Sequence, residues 1–429
     1  MELDEQKLRL EGIYKQNEQG EYMQRVKLAG GILSTQQAGT LAKLGERFGS
    51  GILHLSTRGS IEFHGLKAGD LSKIYRGLAS VGLFSRGACG GAVRGISCSS
   101  SFGPGFGRTQ VLLRHFLTHF SGNPHFEGLP KKFKIAIEAG YAQSRHLIQD
   151  LALVLVEEQG DESRYDVWIA GGLGREPQAG FILAERVIEA ELLPLAEAII
   201  AIYKNWGEKG RRLKYMLNTL GEAELRRRIT EHLEQHPVVR FSDAFPKQLL
   251  PAESSQRVAL DIFVGELPAA KLNQLVTLAS RHSCDWFLVT PDQNIEMLVD
   301  GNMAALQQSL TAAGFYQADE VGALRVCPGN QECRMGLCAT RDLALRIRRD
   351  FGPKLQNRSL AISGCPNSCA QPQLADFGII PSSLRREGET RVAQFNLYVR
   401  RGTGLGELQA TGLSKIELLA QLEERLALS

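Results

Sequence analysis

The pattern of apolar and polar positions occurs twice along the chain. In each copy a short apolar strand leads to an amphipathic helix with apolar residues three and four apart, and a second apolar strand follows. These elements are predicted over residues 25–28, 36–47 and 52–55 and again over residues 258–264, 270–282 and 286–289. The copies align without a gap, with Gly31 on Gly265, Arg47 on Arg281 and Glu62 on Glu296. The ungapped register favours a true duplication over chance similarity between α/β units.

A second pair of similar units follows the two copies. Residues 166–169 before Gly171 resemble residues 396–399 before Gly402, because each segment is a strand that leads into a glycine-rich turn. Between the halves, the apolar spacing predicts a long helical stretch from residue 180 to about residue 235. The predicted order is therefore A–B–linker–A′–B′, an internally duplicated α/β (α+β) protein with mixed sheets.

Composition and charge narrow the class of protein. The 429 residues are 43% hydrophobic and 23% charged, as in ordinary globular proteins of two or three domains. A net charge of +3 is too weak to indicate a nucleic-acid partner. The N-terminal segment is charged throughout, and no apolar run approaches the length of a membrane span. We therefore expect a cytoplasmic protein without a membrane span, whose eight cysteines serve metal or redox chemistry.

Four of the cysteines form two close pairs in the second half. Cys327 and Cys333 are spaced C-x5-C, and Cys365 and Cys369 are spaced C-x3-C, whereas structural zinc sites usually have C-x2-C or C-x4-C spacing. Two loops with two thiolates each can hold the four corners of an iron–sulfur cubane. Four buried structural cysteines are the alternative. Cys338 is close enough in sequence to be another ligand, so spacing alone leaves the set open.

The second pair carries a resemblance to a known family. The run Gly-Cys-Pro-Asn-Ser-Cys-Ala at residues 364–370, with the C-x5-C pair before it, resembles the signature of the sirohaem-dependent sulfite and nitrite reductases. The resemblance implies a 4Fe–4S cluster, with Cys369 also bridging to the sirohaem iron. The implied cluster ligands are Cys327, Cys333, Cys365 and Cys369.

The same resemblance implies a domain organisation. Two ferredoxin-like half-domains form one module, and two related mixed-sheet domains bind the sirohaem and the cluster. The expected divisions are an N-terminal tail (1–24), the first half-domain (25–124), a sirohaem and substrate domain with a helical linker (125–250), the second half-domain (255–320) and a cluster and sirohaem domain (321–429).

Three segments of the first half resemble the family's anion-binding motifs. They are Ser-Thr-Arg at residues 56–58 with Phe-His-Gly at residues 63–65, Ala-Cys-Gly-Gly-Ala-Val-Arg at residues 88–94, and Leu-Pro-Lys-Lys-Phe-Lys at residues 129–134. In the family these cations bind the oxyanion on the distal side of the sirohaem and help to neutralise its carboxylates. The residues that carry over are Arg58, Arg94, Lys132 and Lys134, with Lys131 nearer the carboxylates.

Physical chemistry agrees with this assignment. An eight-carboxylate macrocycle and an anionic substrate need several fixed cations in one pocket. If residues 132–135 form a strand, alternation places Lys132 and Lys134 on one face. In the ungapped alignment Arg58 falls on Asp292, so the second copy does not repeat the basic group. One half is therefore expected to bind anions and the other to bind the cluster.

The chain also departs from the family's pattern. Gly59 replaces a frequent Gln, and Gly91 and Gly95 replace frequent Asp and Asn. The sequence ends soon after the second repeat, without a C-terminal segment that many relatives have. A second subunit is therefore a candidate for completing the haem pocket.

The predicted function is the six-electron reduction of sulfite to sulfide. The sulfite branch of the resembled family often has a cysteine four places after the second arginine, so Cys98, four places after Arg94, favours sulfite. Reduction of nitrite to ammonia is the first alternative. A precorrin oxygenase of cobalamin synthesis and a non-catalytic sirohaem subunit are further alternatives, but neither is expected to keep all four cations. The sequence contains no G-x-G-x-x-G fingerprint opening a βαβ unit and no ferredoxin-type cysteine run. Electrons are therefore expected from a separate ferredoxin-like protein or flavoprotein.

Overall fold

The structure, a computed structural model, describes residues 4–98, 103–160, 162–236, 256–299, 301–318 and 323–428. The first A unit contains α1 (Glu5–Leu10), β1 (Ile13–Lys15), β2 (Glu21–Val26), β3 (Ile32–Ser34), α2 (Thr35–Phe48), β4 (Ile52–Leu55), β5 (Ile61–Lys67) and α3 (Leu71–Ala79). The first B unit contains β6 (Ser97–Cys98), α4 (Phe106–Phe120), β7 (Ile135–Glu138), β8 (Leu151–Gln159), β9 (Glu162–Ile169), β10 (Phe181–Ile188), α5 (Glu189–Trp206), α6 (Leu213–Leu220) and α7 (Glu222–Gln235).

The second half repeats this order. Its A unit contains β11 (Gln256–Leu260), β12 (Glu266–Pro268), α8 (Ala269–Arg281), β13 (Trp286–Val289), β14 (Ile295–Val299) and α9 (Met303–Ala312). Its B unit contains β15 (Ala323–Val326), α10 (Thr340–Phe351), β16 (Ser359–Ile362), β17 (Phe377–Glu387), β18 (Thr390–Val399), β19 (Glu407–Leu413) and α11 (Lys415–Leu428). Among the described residues, no helix combines the length and apolar composition needed to cross a membrane.

Helix α2 shows how the sequence fixes the A units. Ser34 caps its N-terminus, accepting from the backbone N–H of Gln37 while the Gln37 side chain accepts from the Ser34 N–H. The buried face of α2 packs against α8, its counterpart in the second copy. A methyl group on Gly45 of α2 would lie 3.4 Å from the Cβ of Ala269 of α8, so the two helices approach closely there. One apolar core, with Leu41 and Leu275 fully buried, serves both copies.

The two A units exchange strands. Strand β12 of the second copy pairs with β4 of the first, and β3 of the first copy pairs with β13 of the second, both antiparallel. The resulting sheets have the orders β1-β2-β5-β4-β12 and β11-β14-β13-β3. Because each sheet contains a strand from the other copy, the A units form one module.

The two B units have matching sheets. Their orders are β6-β7-β8-β9-β10 and β15-β16-β17-β18-β19, and in both the first two pairings are parallel and the last two antiparallel. The similarity that the sequence indicates between residues 166–169 and 396–399 is thus a similarity between β9 and β18, which occupy the same place in the two sheets.

Several expectations from the sequence are wrong in detail. Residues 13–15 and 21–24 of the expected tail belong to β1 and β2, which are integral to the first sheet. The helical stretch begins at Glu189, because residues 181–188 form β10 and pair with β9 although their apolar spacing imitates a helix. Residues 258–264 are a strand only as far as Leu260, and a 3-10 turn follows. Regular pairing in the segment that contains Lys132 and Lys134 begins only at Ile135.

Candidate active site

The four paired cysteines lie on two loops that leave the same edge of the second B sheet. Cys327 follows β15 and Cys365 follows β16, and these strands are parallel neighbours, so their C-terminal ends lie side by side. The backbone N–H of Cys327 donates to the carbonyl of Ile362 at 3.1 Å, and that of Gly364 donates to the Cys327 Sγ at 3.0 Å. Sheet topology therefore brings together two segments that are far apart in sequence.

The thiols of these cysteines share one electrostatic environment. Burial raises the pKa of Cys327, and the nearby Cys369 and Cys365 raise it further. Burial also raises the pKa of Cys333 and that of Cys365, and Cys369 contributes to both shifts. Thiols held near one another in a poorly hydrated place gain strongly from a metal that takes the thiolate form. The donor set therefore fits an iron–sulfur cluster.

The backbones of the two cysteine loops are in close contact. A methyl group on Gly364 would come within 2.7 Å of the Cα of Gly329, and one on Gly336 would come within 2.2 Å of the backbone nitrogen of Asn330. A side chain at Gly364 would push the two loops apart, and one at Gly336 would open the first loop, in which Asn330 also lies. These two glycines therefore help to set the spacing of the donor set.

Cys338 is placed differently from the other four. Its side chain is buried in the hydrophobic core of the second B unit, with Val326 and Leu343. Burial raises its pKa to about 12, and its neighbour Cys365 adds to the shift. This packing favours Cys338 as a core residue rather than a ligand.

The basic residues of the first half converge on the cysteine loops. Arg58 follows β4, and its guanidinium donates to the carbonyls of Gly95 (2.7 Å) and Ile135 (3.0 Å) and to Gln149 Oε1 (2.9 Å). Burial lowers the pKa of Arg58 to about 9, with repulsion from Arg94 as the next cause. Three carbonyl acceptors hold this cation in a fixed place without neutralising it.

Two of the predicted lysines lie beside the cluster loop, and the third is exposed. Phe133, which is fully buried, separates Lys132 from Lys134, so the two ammonium groups share the opposite face of an extended segment. Burial lowers the pKa of Lys132 to about 8 and that of Lys134 well below its usual value, and the nearby Cys369 opposes both shifts. Lys131 is exposed at the surface, and its charge repels that of Lys132.

Arg94 lies in the same basic group. Its guanidinium donates to the carbonyl of Ala88, and it is almost fully buried. Its charge lowers the pKa values of Arg58 and Lys132. The structure therefore brings together four of the five predicted cations, and their mutual repulsion is a feature that bound anions would relieve.

A hydrogen-bonded contact joins the two halves at the site. Thr57, next to Arg58, donates from its hydroxyl to the carbonyl of Cys369 at 2.7 Å, and Gln371 Nε2 donates to the carbonyl of Thr57 at 2.9 Å. The turn that carries Arg58 is therefore fixed directly to the loop that carries Cys369.

Sequence reasoning missed two further cations of the basic group. Arg212 is buried, binds both carboxylate oxygens of Asp150 at 3.1 and 2.8 Å, and repels Lys132 and Lys134. Lys27 is also buried, and its pKa is lowered to about 7 by burial and then by Arg94. Lys27 lies between apolar residues in a predicted strand, and this position could have indicated a buried lysine. No sequence pattern near Arg212 indicates its burial, because Asp150, with which it pairs, is 62 residues away.

The corresponding place in the second copy is built differently. Asp292, which aligns with Arg58, accepts from Arg145 at 2.8 Å and from Arg325 at 2.9 Å. Arg325 Nε also donates to the carbonyl of Ala370 at 3.2 Å. Here a carboxylate neutralises the cations, whereas the group around Arg58 depends on backbone carbonyls.

A duplicated α/β fold that holds two cysteine loops against a group of buried cations fits an iron–sulfur oxidoreductase. The comparisons with known proteins agree. Residues 108–237 match the family "Nitrite and sulphite reductase 4Fe-4S domain", and residues 14–81 match "Nitrite/Sulfite reductase ferredoxin-like half domain". Over these two segments the chain is similar to the nitrite and sulfite reductases. It is an oxidoreductase that carries sirohaem and a 4Fe–4S cluster.

Individual relatives extend over most of the chain. A ferredoxin–nitrite reductase of Synechococcus elongatus is 27% identical, covering 92% of this chain and 83% of the relative. A sulfite reductase (ferredoxin) of Mycobacterium tuberculosis is also 27% identical, covering 86% of this chain and 74% of the relative. The solved structure of the NirA protein of M. tuberculosis has the same fold, with a TM-score of 0.83, 23% identity and coverage of 97% of this chain and 85% of that one.

Proposed function

We propose that this enzyme reduces sulfite to sulfide with six electrons and releases the three sulfite oxygens as water. The observation that carries the proposal is the group of buried, mutually repelling cations directly beside the loop of Cys369. Buried cations that have no carboxylate partner among the described residues are suited to a small anion and to the carboxylates of a macrocycle. The proposed oxyanion-binding residues are Arg58, Arg94, Lys132 and Lys134, with Lys131 near the rim.

The residues that would hold the cluster are Cys327, Cys333, Cys365 and Cys369, and Cys369 would also be the residue shared with the sirohaem. Cys369 suits the bridging role best, because its thiol is exposed and close to Lys132 and Lys134. When bound, the two cofactors supply the reducing electrons at an iron centre. The contact of Thr57 with the carbonyl of Cys369 holds the turn of Arg58 against the loop that would bind this centre.

The chain's own residues then have distinct tasks. Arg58, held by its carbonyl acceptors, orients the oxyanion and stabilises the negative charge that grows as electrons arrive. Lys132 and Lys134 donate protons to departing oxygens, a role that their lowered pKa values favour near neutral pH. Arg212 and Asp150 form a buried pair that positions Lys134, since Asp150 accepts from the Lys134 backbone N–H at 2.8 Å.

Nitrite is the second candidate substrate. Relatives named as nitrite reductases and as sulfite reductases are equally similar to this chain, at 27% identity. The pocket also suits nitrite, because both substrates are small oxyanions that are reduced by six electrons. Cys98 lies buried in β6, four places after Arg94, where the sulfite branch of the resembled family often has a cysteine, and this resemblance favours sulfite.

The electron donor is proposed to be a ferredoxin. Two of the relatives are named for that donor. A flavoprotein donor and a second subunit beside the haem pocket are alternatives that donor and mass measurements distinguish.

Steady-state turnover tests the proposal. Purified enzyme with reduced methyl viologen should form sulfide from sulfite with a higher kcat/KM than it forms ammonia from nitrite. Reduced ferredoxin should replace the dye, while a reduced flavoprotein should support slower turnover. If nitrite has the higher kcat/KM, the substrate assignment is wrong. If neither anion is reduced by enzyme with full cofactor content, the reductase proposal fails.

A further inference from the structure

A second group of metal-binding side chains lies outside the proposed anion pocket. It consists of His54 on β4, His64 on the neighbouring strand β5, and Glu332, which precedes Cys333 in the first cysteine loop. The two histidines are 5% and 4% exposed, and their rings lie 4.3 Å apart. The group therefore joins the first A unit to the cluster-binding loop, with both histidines buried and the Glu332 side chain 26% exposed.

The distances within the group fit coordination of one ion. Glu332 Oε2 lies 2.9 Å from His54 Nε2 and 3.1 Å from His64 Nδ1, and all three atoms lie within 4.8 Å of one another. Nitrogen and oxygen ligands bind zinc at about 2.0–2.2 Å, so two ligands of one ion are about 3.0–3.5 Å apart at ordinary bond angles. Each histidine nitrogen is therefore at about the distance from Glu332 Oε2 that two ligands of one ion have.

Both contacts are ion pairs when a histidine is protonated. With neutral rings, neither contact has the angles of a ring N–H hydrogen bond, and in the described part of the chain the three atoms have no other hydrogen-bond partner. Buried polar atoms without partners are costly, and here three of them face one point. A bound cation would satisfy all three at once.

The carboxylate of Glu62, next to the group, orients His64. Glu62 Oε2 lies 3.3 Å from the second ring nitrogen of His64, Nε2, and Arg25 fixes Glu62 through an ion pair at 2.8 Å. A proton on Nε2 therefore has an acceptor, which leaves the lone pair of Nδ1 directed at Glu332. A carboxylate behind a histidine ligand is the usual support in protein metal sites.

We propose that His54 Nε2, His64 Nδ1 and Glu332 Oε2 bind one divalent transition-metal ion, for which zinc fits best. Two imidazoles and a carboxylate are a common zinc donor set, and water can take the fourth position. The ion is separate from the iron cofactors and clamps the cluster-binding loop to the first A unit.

Metal analysis of the holoenzyme tests the site without reference to activity. Enzyme is incubated with zinc sulfate, freed of excess metal by gel filtration, and analysed for zinc and iron. We expect about one zinc per chain. X-ray absorption at the zinc edge should show only nitrogen and oxygen neighbours at about 2.0–2.2 Å, because cysteine ligation would add sulfur at about 2.3 Å.

Matched variants locate the ion. His54→Gln and Glu332→Gln should each lose the zinc and keep the iron content of the wild type, which also shows that they fold. His282→Gln, whose histidine contacts Ser309 in the second A unit, is the control and should keep the zinc. The proposal is overturned if the wild type retains no zinc, if both site variants retain it, or if the absorption spectrum shows sulfur ligands.

Discussion

The two copies of the A unit share a backbone and differ in the side chains of the turn after their short central strand. Gly59 and Gln293 occupy aligned positions and have nearly the same left-handed φ, 61° and 64°. The residues directly before them differ in charge. Arg58 lies among other cations, whereas Asp292 pairs with two arginines. Duplication has kept the geometry of the turn. The charge of one side chain, Arg58 or Asp292, determines whether the cations around the turn need an external anion.

The same contrast holds for the B units. Their sheets have matching topology, but only the loops after β15 and β16 carry the cysteine pairs. The first B unit instead places Lys132 and Lys134 before β7, the strand that corresponds to β16. We infer that one ancestral unit diverged into an anion-binding copy and a cluster-binding copy, which meet at the contact between Thr57 and Cys369.

The largest expected effect comes from the cluster-binding copy. Cys369→Ser should abolish turnover and remove most of the cluster iron, because serine oxygen is a poor substitute for a thiolate at iron. Cys338→Ser is the matched control and should keep both iron and activity, since this thiol packs in the core. Iron analysis and sulfite turnover of both variants check the prediction, and a cluster lost only in Cys338→Ser would reverse the ligand assignment.

Much of this division could be predicted from the sequence, because it is local. The cysteine pairs, the repeat and the cations of residues 58–134 are each contained in short segments. The pair of Arg212 with Asp150 and the strand exchange between A units depend on contacts between distant residues, so no single segment shows them. Strand β10 has the local spacing of a helix, and its pairing with β9 overrides that spacing.

A smaller loss of activity is expected in the anion-binding copy. Lys134→Met should lower kcat/KM for sulfite by about ten- to a hundredfold, since a charge-assisted hydrogen bond contributes about 1.5–3 kcal/mol and 1.4 kcal/mol is tenfold in rate. Its cofactor-free form should not lose stability, because the change also removes repulsion with Arg212 and Lys132. A variant that loses stability and keeps its activity would make Lys134 a structural residue.

Asp292, which aligns with Arg58 in the second copy, should show the opposite pattern, with lower stability and nearly unchanged activity. Asp292→Asn leaves Arg145 and Arg325 buried without a counter-charge, which should cost about 3 kcal/mol of folding free energy. Activity per folded, cofactor-loaded enzyme should stay within about twofold of the wild type, a difference of only about 0.4 kcal/mol. Urea unfolding and sulfite turnover measure the two quantities. A large fall in kcat/KM at unchanged stability would mean that the second copy also acts on the substrate.

The smallest effect is a pH dependence of stability that arises from Lys27. Its ammonium donates to Ser121 Oγ at 2.9 Å and to the carbonyl of Arg86 at 3.1 Å, yet burial lowers its pKa to about 7. An unfolded lysine has a pKa of about 10.4, so between about pH 7 and pH 10 the unfolded chain binds a proton that the folded chain lacks. This group therefore makes stability rise with pH over that window.

Lys27→Met should remove that contribution. Its thermal midpoint should rise less than that of the wild type between pH 7 and pH 9. Lys131→Met, a change at an exposed lysine, should keep the wild-type slope. Equal slopes in all three proteins would show that Lys27 is not titrating in this range.

The central claim is that the two copies divide the work, with cations from one and the cluster from the other. Arg58→Met tests it most directly when kcat/KM for sulfite and the iron and sirohaem contents are measured on the same preparation. The account predicts a loss of about ten- to a hundredfold in kcat/KM with full contents of both cofactors. Near-normal turnover, or loss of the cluster together with activity, would contradict it.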